Sequence, residues 1–339
     1  MADEQRLIVR APNWLGDAVM ALPTVAAVRR RFTHPLVVAA PASVAPLFVE
    51  AAAGAYDVLV VDRDKEDRQL RGAAATSILL LPNSFGSAWL AYRGGIPDRW
   101  GYRGGGRRFI LTRAVPRPRE EVHQVRYYLE LARGLGIDAP DDVPRLAARE
   151  TTLQGADRLL EKAGLQPAPR IVTLAPGAAY GHAKQWPPDR VAKVVAALVE
   201  RGLAPVLVGA SADRDTARAI ESSLPSRVRA IDLIGKTTLA ELIGVLARSA
   251  AFVSNDSGAM HVAAALGVPV TAIFGPTKER VTAPMGPGAR DVILRDVFCR
   301  PCMLRECPID HRCMKRITVA DVLASVENNL GIGSTGRLS

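Results

Sequence analysis

Aromatic side chains and cysteine are both scarce in this chain: of 339 residues, 5% are Phe, Trp or Tyr and only 4 are Cys. So few thiols argue against a disulfide framework. Long apolar runs are also missing. The longest, around 262–275, is interrupted by Gly267 and Pro269 and reads as helix, turn and strand, not as a membrane span. The N-terminal MADEQRLIVR starts acidic and carries no apolar leader core, so a cytoplasmic chain is expected, free to work at a membrane surface. Heptads, repeats and low-complexity tracts are absent, which excludes a coiled coil or a solenoid.

What is abundant is Ala, Val and Leu. Hydrophobic residues form 48% of the chain, enough for a substantial core, and the length predicts two domains. Short β-branched and leucine-rich runs recur at 6–12, 35–41, 57–62 and 77–84, then at 170–178, 204–210, 228–235, 250–256 and 268–276. Helical spacing fills the gaps, as in PDRVAKVVAALVERG and TLAELIGVLARSA. This alternation predicts an α/β fold of parallel sheets with helices on their faces, ligands gathering at the carboxyl ends of the strands. Pro23 falls inside the first helical pattern, which predicts a kink or a restart there. The polar, proline-containing stretch 137–150 reads as a linker, placing the domains at 1–148 and 149–317.

The net charge is +10 and it is unevenly spread. Residues 93–126 hold nine arginines, no lysine and three acids, Asp98, Glu120 and Glu121, so this window alone carries +6. Arginine suits planar, bidentate recognition of phosphate or carboxylate; the plainer reading is a solvated loop region.

Four loops at predicted strand ends carry polar groups amid apolar sequence. PNWLGDAV puts Gly16 in a turn and Asp17 at the start of a helix, where the carboxylate either complements the helix dipole or serves as a general base. PGAAYGHAKQWP, with Ala178 and Lys184, is neither a Walker loop nor GxGxxG, yet its small residues and lysine suit a diphosphate. GASADRD offers Asp213 to a ribose or to a helix cap. In SNDSGAMH, residues 256–258 open a helix whose free N–H groups at 257–260 favour an anion. Asp256 would repel a phosphate, so it suits sugar hydroxyls or capping, and a lone His261 more often packs than binds. The Asp-x-Asp runs at 62–64 and 213–215 are too short to specify a catalytic metal.

The four cysteines, Cys299, Cys302, Cys307 and Cys313, follow C-x2-C-x4-C-x5-C with His311 nearby. Thiols clustered in this way suggest a metal knuckle, most simply a structural zinc, far in sequence from the other motifs.

Taken in order, PNWLGDAVMALP, LPNSFGSAW, GIPDRWGYR, PGAAYGHAKQWP, VLVGASAD and SNDSGAMHVAAALGVPVTAIFGPT resemble the ADP-heptose:lipopolysaccharide heptosyltransferases, closest to the heptosyltransferase II branch. The resemblance covers nearly the whole chain up to about residue 325. It implies a GT-B fold, two Rossmann-like domains facing a cleft, with acceptor held by the first and ADP-heptose by the second. It also implies that helix 318–330 packs back on the first domain. Asp17 is implied as the base and Lys184 as the diphosphate ligand; both are the catalytic candidates. Ala178, Lys184, Asp213, Asp256, Ser257, Gly258, Ala259, Met260 and His261 form the implied donor site. The arginine-rich window would then face a phosphorylated lipid A core, with Asn83, Arg103, His123 and Arg126 as acceptor candidates. No metal cofactor is implied for catalysis, and the partners are ADP-heptose and the lipid-linked acceptor at the cytoplasmic face of the inner membrane, not nucleic acid. The expected reaction is inverting transfer of L-glycero-D-manno-heptose to heptosyl-Kdo2-lipid A. The alternatives are a related transferase with another acceptor or nucleotide sugar, a nucleotide-sugar 2-epimerase, and a basic nucleic-acid-binding protein.

Overall fold

The structure, a computed structural model, describes residues 6–165 and 170–332. The first five residues, on which the reading of the N-terminus partly rests, lie outside them. The chain divides into two compact units between Arg145 and Leu146, close to the expected boundary at 148.

In the first unit, β1 (Leu7–Arg10), β2 (Leu36–Pro41), β3 (Asp57–Val61), β4 (Ser77–Leu80), β5 (Asp98–Tyr102) and β6 (Arg113–Val115) form one parallel sheet, ordered β3-β2-β1-β4-β5-β6. In the second, β7 (Ile171–Ala175), β8 (Ala204–Leu207), β9 (Ile231–Asp232), β10 (Ala251–Asn255), β11 (Val270–Ile273) and β12 (Arg290–Ile293) are ordered β12-β11-β10-β7-β8-β9. Counted from its own first strand, each sheet therefore has the same doubly wound order, with a switch point between its first and fourth strands. Central strands such as β1, β7 and β10 are buried along their whole length. That is why they read as continuous apolar runs and not as alternation.

Three expectations change. Gly16 lies inside the first turn of helix Leu15–Met20; at Pro23 the expected alternative of a restart holds, a second helix, Leu22–Arg31, beginning after Ala21 with Pro23 in its first turn. Proline is tolerated there because the first N–H groups of a helix lack partners anyway. The strand expected over 228–235 shrinks to Ile231–Asp232, and β5, β6 and β12 appear where no strand was expected. Helix Val319–Leu330 is built into the second unit, where the resemblance had it return to the first. Val322, Val326 and Leu330 join that unit's core, and the helix packs on β10, β11, β12 and helix Pro188–Glu200. Its start is fixed by Thr318 and Asp321, which cap each other's backbone N–H groups, and Gly331 in the left-handed region ends it.

Candidate active site

Two of the first unit's candidates, Asp17 and Asn83, follow β1 and β4, its switch-point strands. Arg10 ends β1 buried; it pairs with Glu66 at 2.7 Å and donates to Asn13 Oδ1 at 2.9 Å, which ties the loop before Asp17 to the sheet. Asp17 is half-buried in the first turn of its helix. Burial pushes its carboxyl above the usual carboxylate range, while the Tyr128 hydroxyl, 3.5 Å from Oδ1, pulls the other way. A carboxylate made more basic by burial is what a general base requires.

Beyond β4, Arg107 is fully buried and donates to the Pro82 carbonyl at 2.5 Å, the Tyr102 carbonyl at 2.7 Å and Asn83 Oδ1 at 3.2 Å. Desolvation, with the Arg117 charge added, pushes its guanidinium down to about 10. Asn83 Nδ2 donates in turn to the Tyr127 hydroxyl at 3.0 Å. The amide proposed for the acceptor is thus held in an internal network. Arg103 is exposed on the loop after β5. The other two acceptor candidates have structural roles. His123 caps helix Gln124–Gly134, its Nδ1 accepting the Val125 N–H at 3.2 Å, and Arg126 pairs with Glu130 at 3.4 Å on the exposed side of that helix.

The second unit collects its candidates after β7, β8 and β10. Lys184 Nζ lies 2.5 Å from Asp256 Oδ2, with the side chains 12% and 7% exposed. Thr277 donates to the same oxygen at 2.6 Å, and the ammonium lies 4.7 Å from the Tyr180 ring centroid. Asp256 is therefore neither a helix cap nor an uncompensated charge; it is the counter-ion that holds Lys184. Helix Gly258–Ala265 begins directly after it, and no side chain caps its N-terminus. Ser257 instead shares a hydrogen bond with Ser254 at 2.8 Å. Met260 and His261 are buried in the helix, so their side chains are withdrawn from its N-terminus, while Ser257, Gly258 and Ala259 are partly exposed.

Asp213 accepts the Ala210 N–H at 2.9 Å, closing the turn after β8. It also packs on two glycines: a Cβ on Gly177 would collide with its carboxylate, and one on Gly209 would come within 2.9 Å. Ala178 follows Gly177 in this same crowded corner. Asn255, which the sequence reading passed over, ties the loops together. Its Nδ2 donates to the Pro176 carbonyl at 2.7 Å and its Oδ1 accepts the Trp186 N–H at 3.2 Å.

The cysteine segment, distant in sequence, lies against this donor loop. Tyr180 donates to the Met303 carbonyl at 2.9 Å, and the Ala183 N–H to the Arg305 carbonyl at 2.9 Å. All four cysteines, with His311 and Ala183, line one cavity of about 20 Å³. His311 Nε2 is buried there without a partner. Among the described residues, no three His, Cys, Asp or Glu side chains are arranged to hold an ion.

Over residues 63–312 the chain matches glycosyltransferase family 9 (heptosyltransferase). It is 30% identical over 309 residues to lipopolysaccharide heptosyltransferase 2 of Escherichia coli K12, covering 85% of this chain and 88% of that one. Lipooligosaccharide heptosyltransferase 2 of Haemophilus influenzae is 28% identical over 302 residues, covering 82% of this chain and 86% of its own. The solved structure of E. coli ADP-heptose lps heptosyltransferase II superposes with a TM-score of 0.84 at 27% identity, covering 96% of this chain and 98% of that one.

Proposed function

The chain belongs to glycosyltransferase family 9, the heptosyltransferases, and from that premise we propose an inverting transfer of L-glycero-D-manno-heptose from ADP-heptose to a heptosyl-Kdo2-lipid A inner core. The observation that carries the reading is Lys184 held by Asp256 beside the uncapped N-terminus of helix Gly258–Ala265. In this reading the second unit binds donor and the first binds acceptor. The acceptor oxygen attacks the anomeric carbon while the bond from that carbon to the diphosphate oxygen breaks. Asp17 takes the hydroxyl proton, and ADP departs with its growing negative charge met by Lys184 and the backbone N–H groups at 257–260. Attack from the face opposite the leaving group inverts the anomeric centre. No step requires a metal, because these groups supply the charge that a divalent ion would otherwise supply.

Asp213 keeps one oxygen for the turn and leaves the other for the ribose. Arg103, exposed after β5, meets the acceptor's anionic groups. A lipid-linked acceptor places the enzyme at the cytoplasmic face of the membrane, and no described helix is long and apolar enough to cross it. The test is ADP release from ADP-heptose with and without heptosyl-Kdo2-lipid A. Acceptor-dependent release that Asp17→Ala abolishes supports both assignments. Donor binding without release sinks the acceptor, and no donor binding sinks the whole reading.

The cysteine segment is proposed to close on a structural zinc. Four thiols and one orphaned imidazole nitrogen on a single cavity support this, and the metal would brace the loop that presents Lys184. Elemental analysis of protein purified without chelator should find about one zinc per chain. Protein with full transfer activity and no metal would overturn it.

A further inference from the structure

Helix Phe85–Arg93 buries Ser87, Ala88 and Ala91, small residues that let it lie close on the sheet. Its bulky residues point the other way. Phe85, Trp89 and Tyr92 are 49%, 42% and 53% exposed. The spacing i, i+4, i+7 sets them on one stripe, and the rings stack, with centroids 6.3 Å apart for Phe85 and Trp89 and 5.6 Å for Trp89 and Tyr92. The loop 104–109 extends the stripe at its start. A Cβ on Gly106 would lie 3.9 Å from the Phe85 ring, and Phe109 is 93% exposed. Single exposed apolar residues are ordinary, whereas an ordered row of large rings kept facing water marks a surface that meets something.

Charge selects the partner. The guanidinium of Arg99 lies 5.5 Å from the Tyr92 ring centroid, and Arg93 and Arg108 are exposed beside the stripe. Asp67 and Arg93 pair at 2.9 Å and cancel, while Asp98 keeps its charge on accepting from Thr112 at 2.6 Å, so the surplus positive charge of the rim lies on Arg99 and Arg108. The surface is thus an aromatic centre with a cationic rim. An anionic bilayer presents the complement, apolar chains under a layer of phosphates. Trp and Tyr favour that boundary, and arginine grips phosphate bidentately. An uncharged apolar protein surface would satisfy the rings and leave the rim unmatched.

Position adds a second argument. Phe85 follows Asn83 by two residues, and a Cβ on Gly105 would lie 4.0 Å from the Asn83 carbonyl. The aromatic row therefore starts at the acceptor half of the site and runs outward along the helix. We propose that the Phe85, Trp89, Tyr92 and Phe109 face docks on an anionic phospholipid bilayer, so that the lipid-anchored acceptor reaches the site without leaving the membrane. The purpose rests on the proposed function; the binding itself does not.

The experiment sediments the full chain with vesicles of phosphatidylcholine alone and of equal parts phosphatidylcholine and phosphatidylglycerol. Binding is expected to the mixed vesicles and to weaken with salt. A chain carrying Phe85→Ser, Trp89→Ser and Phe109→Ser should lose about tenfold or more in apparent affinity. Arg108→Gln should lose about fivefold, on the anionic vesicles only. Both should keep wild-type ADP affinity, since neither touches the donor half. Failure of the wild type to bind either vesicle, or unchanged binding by the triple variant, would overturn the proposal. So would a wild-type dimer that the triple variant abolishes with no vesicle binding, because the face would then belong to a second copy. Vesicle binding without heptose transfer would leave this proposal standing and remove the function; transfer without vesicle binding would do the reverse.

Discussion

Asp17 shows how one residue's surroundings become a rate. Its burial raises the carboxyl pKa and the Tyr128 hydroxyl lowers it, so the balance sets where the base becomes protonated. As the proposed base, Asp17 works only deprotonated, so activity should fall as pH drops, on a limb lying above the ordinary Asp range. Tyr128→Phe removes the lowering contact, and the limb should move to still higher pH. A purely structural role for Tyr128 would change the rate without moving the limb, so the pH profile of kcat/KM decides. Asp17→Asn should cost about 100-fold or more on the plateau above that limb, a loss that shrinks as the wild-type carboxyl protonates. The Lys184 and Asp256 pair separates structure from chemistry in another way. Lys184→Met leaves a buried carboxylate with only Thr277 for company and should cost about 3 kcal/mol or more of stability. Adding Asp256→Asn should return most of that stability, read by denaturant unfolding, without returning activity. Recovery of both would mean that the ammonium is not needed for departure of the diphosphate.

At the scale of elements, what could be read from sequence depends on burial. β1, β7, β10 and β11 are buried throughout and read as apolar runs, so the loops after them were located correctly. The strands missed or misjudged lie at or near sheet edges: β6, β9 and β12 end their sheets, and β5 borders β6. Edge strands are short and carry charge to discourage pairing with other chains, which erases the apolar signal. DRWGY and RAV were therefore absorbed into an arginine patch, although Arg107 within it is fully buried. The site divides in the same way. Asp17, Lys184, Asp213 and the 256–258 turn stand out in their own loops. Asn255, Thr277 and Tyr128 act on partners 79, 21 and 111 residues away, which no local spacing reveals. Gly177 belongs to this second group. Gly177→Ala would drive a methyl group into the Asp213 carboxylate and displace it from the place where it is proposed to meet the ribose. The expected result, read by calorimetry, is ADP affinity lowered by about tenfold, with a thermal transition lowered by no more than loss of the Ala210 hydrogen bond accounts for. Wild-type affinity in that variant would remove Asp213 from the donor site.

For the whole molecule, the informative fact is that one strand order occurs twice. In each sheet the winding order reverses between the first and fourth strands, the switch point at whose carboxyl ends such folds bind ligands. In the first unit the loops after β1 and β4 carry Asp17 and Asn83 at that point; in the second, those after β7 and β10 carry Lys184 and Asp256. The same topology has been given opposite chemistry: a half-buried carboxylate of raised pKa in one copy, a lysine and uncapped backbone N–H groups in the other. A leaving diphosphate needs positive charge, and an attacking hydroxyl needs a proton acceptor. On that difference in charge rests the proposal that the second unit binds donor and the first acceptor. The assignment predicts where a nucleotide slows backbone amide exchange. ADP should protect the segments at 176–186, 209–213 and 255–260 while leaving 11–17 and 82–86 at their unliganded rates. Protection should disappear in Lys184→Ala, because the diphosphate would lose its only lysine in the three segments. Protection centred on Asp17 would exchange the roles of the two units, and with them the identity of the base.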